Sequence, residues 1–245
     1  MNTTVNETKR VNYGVDAPGV IRNLFLIGIA ALVLVYFFPD LVFTHFKISN
    51  MLWWCAIVTI VQGGLMLLYA KVGKFRQRNR ILAMHTWTGN ERVLDIGTGL
   101  GLLMIGAAKK LSTGKSIGID IWNKEDLSSN NSNNAKANAG IEGVEDKIEI
   151  QNQDIVKTSF ADGEFDVIIS NLCLHNIYKK ELRKNACTEI HRILKTTGVV
   201  IISDFKHTGE YAANFREMGM KVEKSWPNLL DTFPPLTIVR ATKTA

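Results

Sequence analysis

The sequence predicts a doubly wound, mostly parallel α/β domain preceded by a transmembrane helical hairpin. Three observations carry that prediction. Two long apolar runs fill the first third of the 245 residues. From Arg92 onward, short runs that are apolar on both faces alternate with helical patterns. The charge is also unevenly divided. Of 29 Lys/Arg and 23 Asp/Glu, residues 1–80 hold nine basic and three acidic side chains, leaving twenty of each sign in 81–245. The whole net charge of +6 therefore lies beside the apolar runs. The remainder lacks the basic face of a nucleic-acid binder, so no nucleic-acid partner is expected. Three cysteines cannot form a disulfide framework, which points to a reducing setting.

Two units follow, 1–80 and 81–245. Residues 24–38 contain no charge, Asn, Gln or Pro, and residues 51–70 are interrupted only by Gln62 and Gly63-Gly64. A helix needs roughly 20 apolar residues to cross the hydrocarbon layer. The spans are thus placed at about 22–43 and 51–70, with Arg22 snorkelling to the interface. Lys9, Arg10 and Arg22 precede the first span. Lys71, Lys74, Arg76, Arg78 and Arg80 follow the second. The positive-inside rule then puts both termini and the larger domain in the cytoplasm. Trp53, Trp54 and Tyr69 fall near the two interfaces, as amphipathic rings prefer. A signal peptide is disfavoured, because no small-x-small site follows Phe38 and a second apolar run is left over. Buried helices of a soluble domain are the competing reading.

In the second unit the expected strands are 92–96, 116–121, 148–153, 165–170, 198–204, 221–225 and 237–242. The expected helices are 101–111, 132–139, 179–194 and 210–218. Strand–helix units followed by two closing strands imply the doubly wound sheet. Asn130 to Asn134 open a helix, with Asn and Ser as cap residues.

The first strand runs into Asp95-Ile96-Gly97-Thr98-Gly99-Leu100-Gly101 and then a helix. Glycine at 97, 99 and 101 permits positive φ and close approach of a ligand to the backbone. The dinucleotide pattern G-x-G-x-x-G fails in either register, since it needs glycine at Leu102 or Met104. A carboxylate beside the turn also suits a cationic ligand better than a phosphate. The second strand ends at Asp120-Ile121-Trp122, where a carboxylate can accept both hydroxyls of a ribose. The third ends at Asp154-Ile155, and that acid can accept from an adenine amino group. The fourth leads through Asn171 to Leu172-Cys173-Leu174-His175.

These four features in order resemble the class I S-adenosylmethionine-dependent methyltransferases, over about 81–245. The resemblance implies that family's seven-stranded sheet, with S-adenosyl-L-methionine across the carboxyl ends of strands one to four. Asp95 with Gly97, Thr98, Gly99 and Gly101 would hold its methionine portion, and Asp120 its ribose. Ile121 or Trp122 would cover the adenine, and Asp154, beside Ile155, would bind the amino group, with Asn171 closing the fourth strand. No Asn/Asp-Pro-Pro-Tyr follows that strand and no Pro-Cys pair occurs, which disfavours amino-methylation of adenine or glutamine and cytosine C5 chemistry. What remains resembles the small-molecule branch, acting on quinones, sterols and other lipids, so the expected partners are a small-molecule or lipid acceptor and the membrane. The alternative is an inactive methyltransferase-like scaffold or assembly protein at the membrane.

The reaction implied is in-line displacement of the methyl from sulfonium to a nucleophile. Should the acceptor lose a proton, His175 is the first catalytic candidate, followed by Tyr178, Asp204 and His207. The other reading of His175 is a cap on the helix starting near Tyr178, or a pocket wall. Cys173 and Cys187 read as packing, and no metal is expected because no His or Cys pair has ligand spacing. Substrate-side walls are assigned to 74–87, 205–211 and 226–235. The last is either a lid dipping toward the bilayer or a rigid connection.

Overall fold

The computed structural model describes residues 10–40, 42–43, 46–123 and 125–244. Lys9, Leu41 and His45, on which parts of the charge and span readings rest, lie outside them.

Helix α1, Pro18–Phe37, starts on a proline whose missing N–H would be unpaired in any first turn. It ends just before Pro39, which disfavours helical backbone in the residue ahead of it. The first apolar helix therefore occupies 18–37 instead of 22–43. It gains Val20 and Ile21, while Val42–Phe43 pairs antiparallel with Phe46–Lys47. Helix α2, Ile48–Leu68, packs closely on α1: a Cβ at Gly28 would meet Ile60 at 2.6 Å, and one at Gly63 would meet Phe25 at 3.1 Å. Both helices are long and apolar enough to cross a membrane.

A π-helical turn, Tyr69–Gly73, joins α2 directly to α3, Lys74–Leu82. Ile81 and Leu82 of α3 are buried against Val93, Val167 and Ile201 of the sheet. The change in composition at residue 80 thus falls inside a helix that belongs to the larger domain's core.

The sheet comprises β1 (Arg92–Ile96), β2 (Lys115–Asp120), β3 (Ile148–Asn152), β4 (Phe165–Asn171), β5 (Leu194–Asp204), β6 (Lys221–Lys224) and β7 (Thr237–Thr242). Their spatial order is 3-2-1-4-5-7-6, with β7 antiparallel to both neighbours and the first five mutually parallel. Alternate residues of β1 face opposite layers. Leu94 and Ile96 belong to the core layer that holds α6 (Lys180–Ile193) and α7 (Thr208–Glu217), whereas Val93 belongs to the layer of α3 and α4 (Leu102–Ala108). Helix α5, Ser132–Ile141, is capped by Asn131, whose side chain accepts from Asn134 N–H at 2.9 Å. Because β1 pairs with β2 on one side and β4 on the other, the order reverses there, and a crevice opens at the carboxyl ends of these strands.

Candidate active site

The glycine turn after β1 folds back on β2: the N–H groups of Gly97 and Thr98 both donate to Ile119 O, at 2.9 and 3.0 Å. Gly97, Gly99 and Gly101 have φ of 71°, 53° and 86°, a region where a Cβ is penalised. Asp95 is 1% exposed, and its Oδ2 accepts from Thr98 Oγ1 and Met104 N–H, each at 2.9 Å. Its carboxylate thus ties the turn to the start of α4 from behind. Burial pushes its pKa up to about 7. A carboxyl whose folded pKa is raised keeps its proton in the native state after the unfolded chain has lost it, so stability falls as pH rises from about 4 to about 7. Asp95→Asn can accept the same two hydrogen bonds without the charge. Thermal denaturation at pH 5 and pH 8 is expected to show a smaller loss for this variant than for the wild type.

Asp120, at the end of β2, is half-buried. Its Oδ2 accepts from Gly99 N–H at 2.8 Å and its Oδ1 from Trp122 N–H at 2.6 Å. The turn and this acid border a cavity of about 410 Å³. Of the expected cofactor-binding residues, Gly97, Gly99, Asp120, Ile121, Asp154, Ile155 and Asn171 line it. Thr98 and Asp95 do not. They lie behind the turn against a pocket of about 60 Å³. Gly101 caps α4, and Trp122, held at φ 60°, is absent from the cavity wall, which leaves Ile121 as the apolar cover. Asp154 turns one oxygen to its own loop, accepting from Val156 N–H at 2.9 Å.

The cavity fits a nucleoside carrying an amino acid in chemistry as well as in size. Asp16 Oδ2, Asn130 Oδ1 and Asn171 Oδ1 are buried on its wall without a hydrogen-bond partner among the described residues. All three are acceptors. Buried acceptors call for donors, and S-adenosyl-L-methionine brings ribose hydroxyls and amino groups that suit the two asparagines.

A second cavity, of about 700 Å³, adjoins the first and shares Asp16, Asp126, Leu172, Asn176 and Tyr178 with it. His175 lines this second space, on a 3₁₀ turn Leu174–Asn176. It does not cap α6, whose flanking Lys179 makes no side-chain cap. Its N–H donates to Asp204 Oδ2 at 3.1 Å, and Nδ1 lies 2.8 Å from Oδ1 of the same fully buried acid, off the axis of a straight hydrogen bond. Asp204 thus sits behind His175, Tyr178 is exposed at the rim, and His207 lines the same wall. Cys173 packs its sulfur on Gly97, and burial raises its thiol pKa; Cys187, buried in α6, is pushed up to about 11. Among the described residues no group of three or more His, Cys, Asp or Glu stands together as a metal site.

Asp16 has no counterpart in the sequence reading, yet it borders all three spaces. It belongs to a strap, residues 11–17, laid across the domain: Ser128 N–H donates to Val15 O at 3.1 Å, and Ala17 N–H to Asp126 O at 2.9 Å. Lys74, buried on α3, clamps the strap by donating to the carbonyls of Tyr13 (2.6 Å) and Gly14 (2.7 Å), with Asp16 at 3.6 Å. Burial raises the Asp16 carboxyl against the pull of this ammonium. The available signal was a carboxylate between Arg10 and Arg22, in the segment that leads into the first apolar run.

A family model described as a methyltransferase domain matches residues 88–233. The ribosomal protein L11 methyltransferase of Dictyoglomus thermophilum is 38% identical over 111 residues, 45% of this chain and 31% of that one. The demethylmenaquinone methyltransferase of Bacteroides fragilis is 31% identical over 112 residues, 46% of this chain and 42% of that one. The chain therefore spans less than half the length of either relative. Among solved structures, an S-adenosylmethionine-dependent methyltransferase from Aquifex aeolicus superposes with a TM-score of 0.53 at 18% identity, covering 67% of this chain and 88% of that one. With the strand order, the glycine turn and the matched family model together, the chain belongs to the methyltransferase-domain family and has the class I, S-adenosylmethionine-dependent fold.

Proposed function

We propose that the chain is held at a membrane by α1 and α2 and transfers the methyl group of S-adenosyl-L-methionine to a small lipophilic acceptor. The observation that carries this reading is the composition of the 700 Å³ cavity. Val20, Leu24 and Met66 of the apolar helices form one side; Asp126, His175 and His207 of the catalytic domain form the other. Such a space suits a molecule with an apolar body and a polar, reactive end. The exposed surface of the helices supports the membrane part: Leu26, Ile29, Met51 and Trp54 are each more than half exposed, a burden for a chain in water. Exposed Lys71 and Arg76 just beyond α2 favour a cytoplasmic domain.

The cofactor supplies an already activated methyl on a sulfonium, so the chain's own contribution is alignment and exclusion of water. Gly97 and Gly99 let the backbone come close, Asp120 fixes the ribose, and the strap roofs the junction between the two cavities. A carboxylate placed against the sulfonium itself would stabilise the charge that transfer removes, and so would slow the step. Asp16 is better used toward the acceptor, orienting it or holding its proton. His175, backed by Asp204, is the second group able to take that proton.

The test is transfer of labelled methyl from S-adenosyl-L-methionine into organic-extractable products of membrane lipids, with a demethylated quinone as the first pure acceptor, since the Bacteroides relative is named for one. On an acceptor that must lose a proton, His175→Ala is expected to lower kcat by roughly 10²–10⁴, with cofactor affinity unchanged. Intact cofactor binding with no turnover in any extract would instead favour an assembly protein.

A further inference from the structure

Outside the two apolar helices, three strongly exposed large apolar side chains cluster on the connection between β6 and β7. Trp226, Leu229 and Leu230 are 91%, 76% and 97% exposed. The loop that carries them is braced. Asn228 N–H donates to Leu236 O at 2.8 Å, Thr232 Oγ1 to Asn228 O at 2.6 Å, and Leu236 N–H to Thr232 Oγ1 at 3.0 Å. Three large apolar groups are thus held outward by a loop with its own internal hydrogen bonds.

The position of the loop says what covers them. Asp231 O lies over Gly73 in the π-helical turn, where a Cβ would come within 2.2 Å, and Arg80 of α3 reaches both Asp231 oxygens at 3.2 Å. Phe233 and Pro234 share a cavity wall with Val20, Leu24 and Met66 of α1 and α2. The loop therefore stands at the end of the apolar helices, beside exposed Lys71 and Arg76. Residues 226–235 contain one acid, Asp231, and it is paired with Arg80. Aromatic and leucine side chains next to exposed basic groups match the headgroup layer of an anionic bilayer.

We infer that the 226–230 tip is a membrane-interface contact that enters the headgroup layer of an anionic bilayer beside α2. This rests on the membrane-anchored reading above, and fixes which face of the catalytic domain meets the lipid. The experiment uses the full chain in vesicles containing phosphatidylglycerol and brominated phosphatidylcholine. W53F/W54F removes the tryptophans of α2, leaving Trp226 with the half-buried Trp87 and Trp122. Adding W226F is expected to abolish most of the remaining bromolipid quenching, and omitting the anionic lipid to weaken it in the W53F/W54F chain. Because Trp226 is almost fully exposed, its substitution leaves the fold intact. A wild-type chain that floats with vesicles while W226F leaves the quenching unchanged would overturn the inference and spare the anchor. Quenching absent, with W226F altering the oligomeric mass, would assign the tip to a second copy and overturn it too. A wild-type chain that does not float sinks both readings.

Discussion

Asp120→Ala is expected to weaken S-adenosyl-L-methionine binding by at least about 100-fold. The carboxylate accepts from Gly99 N–H and Trp122 N–H, and so ties the end of β2 to the glycine turn. It also lines the 410 Å³ cavity, and on the reading proposed above its remaining lone pairs accept the ribose hydroxyls. Hydrogen bonds to a charged acceptor contribute about 1.5–3 kcal/mol each, so two lost together amount to at least about 3 kcal/mol, or about 100-fold. Asp120→Asn separates the two roles, because one amide oxygen can keep a backbone N–H while the second acceptor is lost. Calorimetry on the full chain in detergent decides the matter; equal affinity for wild type and alanine variant removes the ribose assignment.

Gly97→Ala is expected to cost about 2–5 kcal/mol of domain stability. Its φ of 71° puts an alanine in the left-handed region, at about 1–2 kcal/mol. The new methyl would stand 2.4 Å from Cys173 Sγ and 2.5 Å from Cys173 Cβ, and overpacking of this kind adds about 1–3 kcal/mol. Gly143→Ala is the control: it has φ 69°, but nothing lies within 4 Å of the added carbon. Thermal denaturation should show Gly143→Ala losing only the backbone part. If the two variants lose the same stability, the contact between Gly97 and Cys173 is not what fixes glycine there.

The sheet was legible in the sequence because a parallel strand buried on both faces must be apolar along its whole length, as in Val167-Ile168-Ile169 and Val199-Val200-Ile201-Ile202. The strand ends were less so: β5 begins at Leu194, four residues before the expected start, because the polar Lys195-Thr196-Thr197 masks a strand whose apolar first residue, Leu194, is buried and pairs with Phe165. Within the site, glycine and aspartate beside a strand end are read easily, since few structural roles need both. The strap 11–17 and its clamp by Lys74 were not, because their importance comes from sequence-distant contacts. Nothing local to Lys74 reveals that its ammonium meets the carbonyls of Tyr13 and Gly14 some sixty residues earlier. Asp95 shows the opposite failure: the motif places it beside the ligand, but its hydrogen bonds are spent on the turn.

From Ile48 to Leu82 the helical path is unbroken, with only the π-helical turn inside it. At 1.5 Å per residue this is a shaft of about 50 Å whose far end is wedged into the sheet by Ile81 and Leu82. The catalytic domain accordingly has no swivel on that side. On the membrane-anchored reading proposed above, the plane that holds the apolar end also sets the tilt and heading of the crevice, so an acceptor reaches a fixed mouth, whereas a domain on a loose leash could bow down to meet it.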